Sequence, residues 1–164
     1  MIGPRRDTIC KDDIFMSIAV LVSKDSKDPN TQVGACLVDS ENRVLGTGYN
    51  GFPRDIPNTS LPWDRDGSLE DTKYAYVVHA EENAIDNCDK SRLNGSKLYV
   101  TLFPCNSCAT KIVNNRVGEV IYLSDKYCGS PESIASRRLL ALAGVKVREF
   151  KSDNEEITID LRSQ

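Results

Sequence analysis

His79-Ala80-Glu81 and Pro104-Cys105-Asn106-Ser107-Cys108 stand on either side of one apolar segment, Lys97-Leu98-Tyr99-Val100-Thr101-Leu102. Together they decide the fold. Each outer motif opens a helix, and the segment between them has the β-branched and aromatic character of a strand. A helix–strand–helix order of this kind is a crossover unit. A right-handed crossover brings the two helix N-termini to the same side of the sheet. His79 is the only histidine in the chain and lies 26 positions before Cys105. One imidazole and two thiolates make a three-donor set for zinc, with a fourth position left for water. That is the pattern of a catalytic site, not of a closed structural one.

Cys105 and Cys108 are three residues apart at a helix start and so share a face. Pro104 loses nothing there by lacking an N–H. The partial positive charge of the terminus favours thiolates and hence metal binding. Glu81 follows His79 by two residues, about 200° around the helix. It is badly placed as a fourth ligand and well placed beside the metal, to take a proton from a bound water. The N–H of Ala80, near the helix end, is free for a substrate oxygen. The competing interpretation is a zinc knot that only holds the fold, and a knot needs a fourth side-chain ligand. No second histidine exists, and Cys10, Cys36, Cys88 and Cys128 lack C-x-x-C spacing. Cys36 and Cys88 read as buried small apolar residues.

Working outward, residues 11–26 read as a helix, with Ile14, Phe15, Ile18, Leu21 and Val22 at helical spacing and Asp12 and Asp13 in the first turn. Lys27-Asp28-Pro29-Asn30 ends it. Residues 32–39 and 44–49 form a hairpin about a short polar turn. Residues 50–73 are polar and irregular. So long a loop in a compact domain is a lid, a binding loop or disordered, and its single tryptophan, Trp63, implies packing. Residues 78–87 make a second helix, 97–102 a strand, 105–115 a third helix, 119–124 a strand, 133–143 a fourth helix with Gly144 at its C-cap, and 145–150 a fifth strand. Residues 157–161 alternate apolar and polar, as a final strand or as a tail docked on a neighbour. Alternation after the first hairpin implies parallel strands covered by helices on both faces. The expected architecture is an α/β three-layer sandwich with a mixed five-stranded sheet, one domain over 1–164 with its core at about 11–150.

A chain of 164 residues with 40% hydrophobic and 27% charged residues suits one such domain. Its net charge of −3 argues against a polynucleotide partner, whose phosphates call for Lys and Arg. The longest apolar run, residues 14–22, is too short to span a bilayer, and no signal peptide is evident. These features lead us to expect a cytoplasmic protein with reduced thiols.

His-x-Glu followed by Pro-Cys-x-x-Cys resembles the signature of the cytidine and deoxycytidylate deaminase superfamily. Four further stretches are similar, in the same order, to the deoxycytidylate deaminases of eukaryotic and viral type. They are the run from Lys27 to Ala35, Gly48-Tyr49-Asn50-Gly51-Phe52-Pro53, Leu61-Pro62-Trp63 and Ser124-Asp125-Lys126-Tyr127. The resemblance covers about residues 15–150. It implies zinc-dependent hydrolysis of dCMP to dUMP and ammonia, supplying dUMP for thymidylate synthesis. Zinc would be held by His79, Cys105 and Cys108, and the activated water would attack C4. Glu81 would shuttle its proton to N3 and then to the leaving amine, and the Ala80 N–H would meet the base carbonyl. Asn50 would lie at the nucleotide and Tyr127 would close over the sugar-phosphate. On turn chemistry alone, Asn50-Gly51 is only a turn and Tyr127 only packing. The resemblance further implies a homohexamer activated by dCTP, with Mg2+ accompanying the triphosphate, and inhibited by dTTP. Asn50 and Gly51 would belong to the regulatory loop.

Two departures from the family stand out. A second, structural zinc of the kind some phage members carry needs histidines this chain lacks. Glu82 occupies a position that is apolar in relatives. It lies about 100° from Glu81 and should face elsewhere, for instance a subunit contact. The zinc motifs alone leave two other functions open: deamination of cytidine, dCTP or a base in nucleic acid, and a catalytically silent assembly module.

Overall fold

The computed structural model describes residues 3–5, 8–154 and 156–162. Five strands run in the order β2-β1-β3-β4-β5. They are β1 (Gly34–Val38), β2 (Val44–Tyr49), β3 (Lys97–Leu102), β4 (Glu119–Ser124) and β5 (Lys146–Glu149). β1 pairs antiparallel with both β2 and β3, while β3, β4 and β5 run parallel. The sheet is therefore mixed, and the parallel half is the half in which strands alternate with helices. Every residue of β1 is buried, as befits a central strand covered on both faces.

Helix α1 (Lys11–Ser23) lies alone on one face, where Phe15, Met16 and Ala19 pack on Cys36, Val38, Tyr99 and Ile121. Helices α2 (Ala80–Asp86), α3 (Asn106–Asn114) and α4 (Pro131–Leu142) cover the other face. Ala84, Ile85, Ala109, Ile112 and Leu140 there meet Ala35, Leu37, Leu98, Val100 and Val120. The period-2 alternation along β1 and β3 thus feeds two separate cores.

Helix–sheet contact is closest at two glycines. A Cβ on Gly34 would lie 1.9 Å from the Ala19 carbonyl oxygen of α1, and one on Gly48 would lie 2.3 Å from the Ala80 carbonyl oxygen of α2. Only a bare backbone admits the helices at this depth.

Several element ends differ from the sequence expectation. α1 stops at Ser23, because Ser26 is drawn inward to donate its hydroxyl to the Asn50 carbonyl (2.8 Å) and side-chain Oδ1 (2.9 Å). β1 starts at Gly34 because the Val33 N–H turns to Asn50 Oδ1 instead of a neighbouring strand. α4 begins earlier than expected, with Ser130 as its N-cap and Pro131 in its first turn. The alternation at 157–161 does not make a strand: Ile159 is 62% exposed and Leu161 92%, with no sheet face to bury them. Asn154, just upstream, instead donates to Asp13 Oδ2 on α1 at 2.7 Å. The 50–73 loop is ordered internally. Trp63 stacks on Phe52 with ring centroids 4.1 Å apart, and its indole N–H donates to the Asn58 carbonyl. Among the described residues no helix is long and apolar enough to cross a membrane.

Candidate active site

The carboxyl ends of β3 and β4 deliver Phe103–Cys105 and Asp125–Tyr127 to one edge of the sheet, the edge at which open α/β sheets bind ligands. His79 and Cys105 are the N-cap residues of α2 and α3, both with extended backbone, and Cys108 lies one turn into α3. The crossover expected from the sequence therefore brings the two helix starts together. His79 Nδ1 lies 3.2 Å from Cys108 Sγ and 3.4 Å from Cys105 Sγ, and the three donor atoms fall within 4.8 Å of one another. One imidazole and two sulfurs on a common centre fit a zinc ion in both donor type and number, with a coordination position to spare.

The electrostatics of the cluster agree. The Cys105 thiol is pulled down to about 3, by the Cys108 thiol first and then by the His79 and Ser107 hydrogen bonds, against the effect of burial. Cys108 is pushed up, because it donates to Cys105 and is buried. Metal ligands must be deprotonated to bind, and a thiol already held low at Cys105 suits that requirement.

Glu81 is 4% exposed and lines the cavity beside His79. Burial pushes its carboxyl up to about 7, partly offset by the His79 charge. Ala80 is the first residue of α2, where an N–H has no partner within the helix, and it faces the same cavity. Glu82 points away from the cavity. Its Oε2 accepts the His79 N–H at 3.2 Å, closing a capping box, and Oε1 faces the Lys111 ammonium of α3 at 3.9 Å. Lys111 also donates to Asp86 at 2.7 Å, tying together the two helices that carry the His79/Cys105/Cys108 cluster.

The cavity encloses about 620 Å³, which accommodates a nucleotide. Asn50 lines it, but its amide is fully engaged by the chain. Nδ2 donates to Asp28 Oδ2 (3.2 Å) and to the Thr31 carbonyl (2.9 Å), while Oδ1 accepts from Val33 N and Ser26 Oγ. Gly51 stands outside the lining, bridged in antiparallel fashion to Val78 immediately before His79. Tyr127 lines the rim, half exposed, with the Lys126 ammonium 4.9 Å from its ring centroid. Burial opposes ionisation of its phenol, but the Thr31 and Lys126 contacts outweigh this and hold it below the usual range.

Among the cavity residues that escaped the sequence argument are Asp28, Arg65, Lys73, Asp125 and Ser133. Asp28 and Asp125 sit inside motifs quoted above, but nothing in a linear reading points their side chains inward. Arg65 lies in the long loop, its Nε donating to the Tyr74 hydroxyl at 3.1 Å.

A family model describing the cytidine and deoxycytidylate deaminase zinc-binding region matches residues 10–124. The chain is 48% identical over 152 residues to the deoxycytidylate deaminase of Homo sapiens, covering 92% of this chain and 85% of that one. It is 47% identical over 152 residues to the Mus musculus enzyme, with the same coverage. Among solved structures, the dCMP deaminase of cyanophage S-TIM5 in complex with dCMP and dUMP superposes with a TM-score of 0.65 at 25% identity, over 84% of this chain and 95% of that one. Fold, metal-ligand cluster and sequence similarity agree, and the chain belongs to the cytidine and deoxycytidylate deaminase family.

Proposed function

We propose that the protein hydrolyses dCMP to dUMP and ammonia. The observation that carries this reading is the buried carboxyl of Glu81 beside the His79/Cys105/Cys108 cluster, in a cavity of nucleotide size. Similarity to proteins named deoxycytidylate deaminase supports the substrate. His79, Cys105 and Cys108 hold the zinc. When bound, zinc supplies Lewis-acid activation that lowers the pKa of water to about 7.

The residues then divide the work as in zinc deaminases generally. Glu81 accepts the proton of the attacking water as oxygen bonds to C4 of the base, and delivers it to N3. It then takes the proton of the new C4 hydroxyl and passes it to the exocyclic nitrogen, and the C4–N bond breaks as C4=O forms, releasing ammonia. A carboxyl raised toward neutrality by burial suits both directions of transfer. The Ala80 N–H binds the base carbonyl. Asn50 fixes the cavity wall around the sugar through its four bonds to the chain. Tyr127 covers the sugar-phosphate, and the Arg65 guanidinium at the rim suits a phosphate.

In the same reading the product dUMP feeds thymidylate synthesis in the cytoplasm. The chain acts as a single domain with a terminal tail, and hexamers assemble. dCTP with Mg2+ activates and dTTP inhibits through the loop of Asn50 and Gly51. Ammonia release from cytidine, dCMP and dCTP, each with and without dCTP·Mg or dTTP where these are not the substrate, tests the whole reading. Turnover of dCMP well above the other two is expected. Equal or better turnover of cytidine overturns the substrate, and rates at sub-saturating dCMP that neither triphosphate changes overturn the regulation.

A further inference from the structure

We propose that Asp125 and Ser133 form a contact pair in the cavity wall that holds a neutral N–H or O–H donor of the nucleotide and so orients it. The inference deepens the functional reading above and rests on it.

Ser133 is 5% exposed, and its hydroxyl has no hydrogen-bond partner in the chain. Asp125 Oδ1 is likewise buried and unpartnered. Buried polar groups are almost always satisfied, so an orphan asks for an explanation. Other orphans exist among the described residues, on Asp13, Ser96 and Ser136, but only Asp125 and Ser133 line this cavity. They come from neighbouring elements: Asp125 follows β4, and Ser133 lies in the first turn of α4.

Neither side chain is occupied by a structural task that would account for the loose atom. The N-cap of α4 is already served, since Ser130 Oγ accepts the Ser133 N–H at 3.2 Å. The Ser133 hydroxyl is left over. Asp125 is held from behind through Oδ2 by an ion pair with Arg137. The Arg137 guanidinium carbon in turn lies 4.0 Å from the Phe103 ring centroid, and Phe103 meets Tyr122 edge-on at 5.1 Å. This stack fixes the carboxylate and leaves Oδ1 as a rigid acceptor. Such preorganisation is what a recognition contact requires.

The chemistry selects the ligand group. A carboxylate paired with arginine can only accept, and a serine hydroxyl can accept or donate. A phosphate offers only acceptors and a negative charge, so it is excluded from Asp125. A cytosine deoxynucleotide offers two fitting groups, the sugar 3′-hydroxyl and the exocyclic amine of the base.

Calorimetric titration of the zinc-loaded, full-length protein separates the two sources without turnover. The ligands are dUMP and its 2′,3′-dideoxy analogue, with dCMP titrated on a Glu81→Gln background. The variants are Ser133→Ala and Asp125→Asn, and Ser136→Ala serves as the control for a buried orphan outside the cavity. If the 3′-hydroxyl is held, the native protein prefers dUMP over the dideoxy analogue by about tenfold, and both variants erase that preference. If the amine is held, both variants weaken dCMP by about tenfold while dUMP binding is unchanged. Ser136→Ala changes neither. Affinities within about twofold of native for all three ligands in both variants would overturn the pair and leave the functional reading standing. A native protein that binds none of the nucleotides would overturn both.

Discussion

Lys73 and Asp28 form a buried ion pair at the cavity wall, across 45 residues of sequence. Asp28 also accepts the N–H groups of Asn30 (2.8 Å) and Thr31 (3.3 Å) and the Asn50 side-chain amide. One carboxylate therefore gathers both ends of the 50–73 loop, Asn50 at its start and Lys73 at its close. Removing one partner strands the other charge in a dry site. Lys73→Met is expected to lower stability by about 3–5 kcal/mol in chemical denaturation. A loss below about 1 kcal/mol would show that the pair is not under load.

The same carboxyl makes a pH prediction. Burial raises its pKa, but Lys73 and the two backbone N–H groups outweigh burial and hold it below the ordinary 3.8. A folded value below the unfolded one stabilises above the unfolded pKa, and this contribution is lost as pH falls through the folded value. The Asp28 contribution to Tm should hold from about pH 7 to 5 and be lost below about pH 4, read as a shallower fall over that acid range in Asp28→Asn. Equal slopes for the two proteins would remove Asp28 from the account.

Glu81 and Glu82 are adjacent and should respond differently. Glu81→Gln keeps the zinc, read by elemental analysis, and loses turnover by about 100-fold or more. Glu82→Gln preserves the capping box, since glutamine serves at that position as glutamate does. It should retain most activity. A dead Glu82→Gln enzyme with full zinc content would mean that the carboxylates are assigned the wrong way round.

Gly48→Ala tests the coupling of sheet to metal centre. The added methyl would sit 2.3 Å from the Ala80 carbonyl and 2.4 Å from the Ala84 N–H, both backbone atoms of α2. The helix must move, and His79 caps it. A destabilisation of about 1–3 kcal/mol together with weakened zinc retention is expected. Native zinc affinity in a destabilised variant would separate the packing from the site.

Chelation supplies the remaining test. Dialysis against a strong zinc chelator should abolish deamination and lower Tm, and zinc alone should restore both. Activity that survives complete metal removal would refute the assigned role of His79, Cys105 and Cys108.

Much of the molecule was legible without coordinates. The parallel half of the sheet followed from strands alternating with helices, because short connections leave few other arrangements. The metal cluster followed from a lone histidine, a C-x-x-C pair and one strand between them. Helix geometry alone set Glu81 apart from the His79/Cys105/Cys108 cluster. Element ends were less legible. α1 stops early because Ser26 bonds to Asn50, and no local propensity encodes a partner 24 residues away.

The amino-acid sequence by itself determined the layer architecture and the meeting of His79, Cys105 and Cys108 with Glu81 beside them, because each depends on periodicity and spacing along the chain. Tertiary structure alone decided what surrounds them: the Asp28–Lys73 pair, the saturated amide of Asn50, the inward face of Asp125 and Ser133, and the exposed tail. These depend on which distant segments meet. The exchange of water for protein partners at such meetings is a property of packing, and no spacing in a linear chain records it.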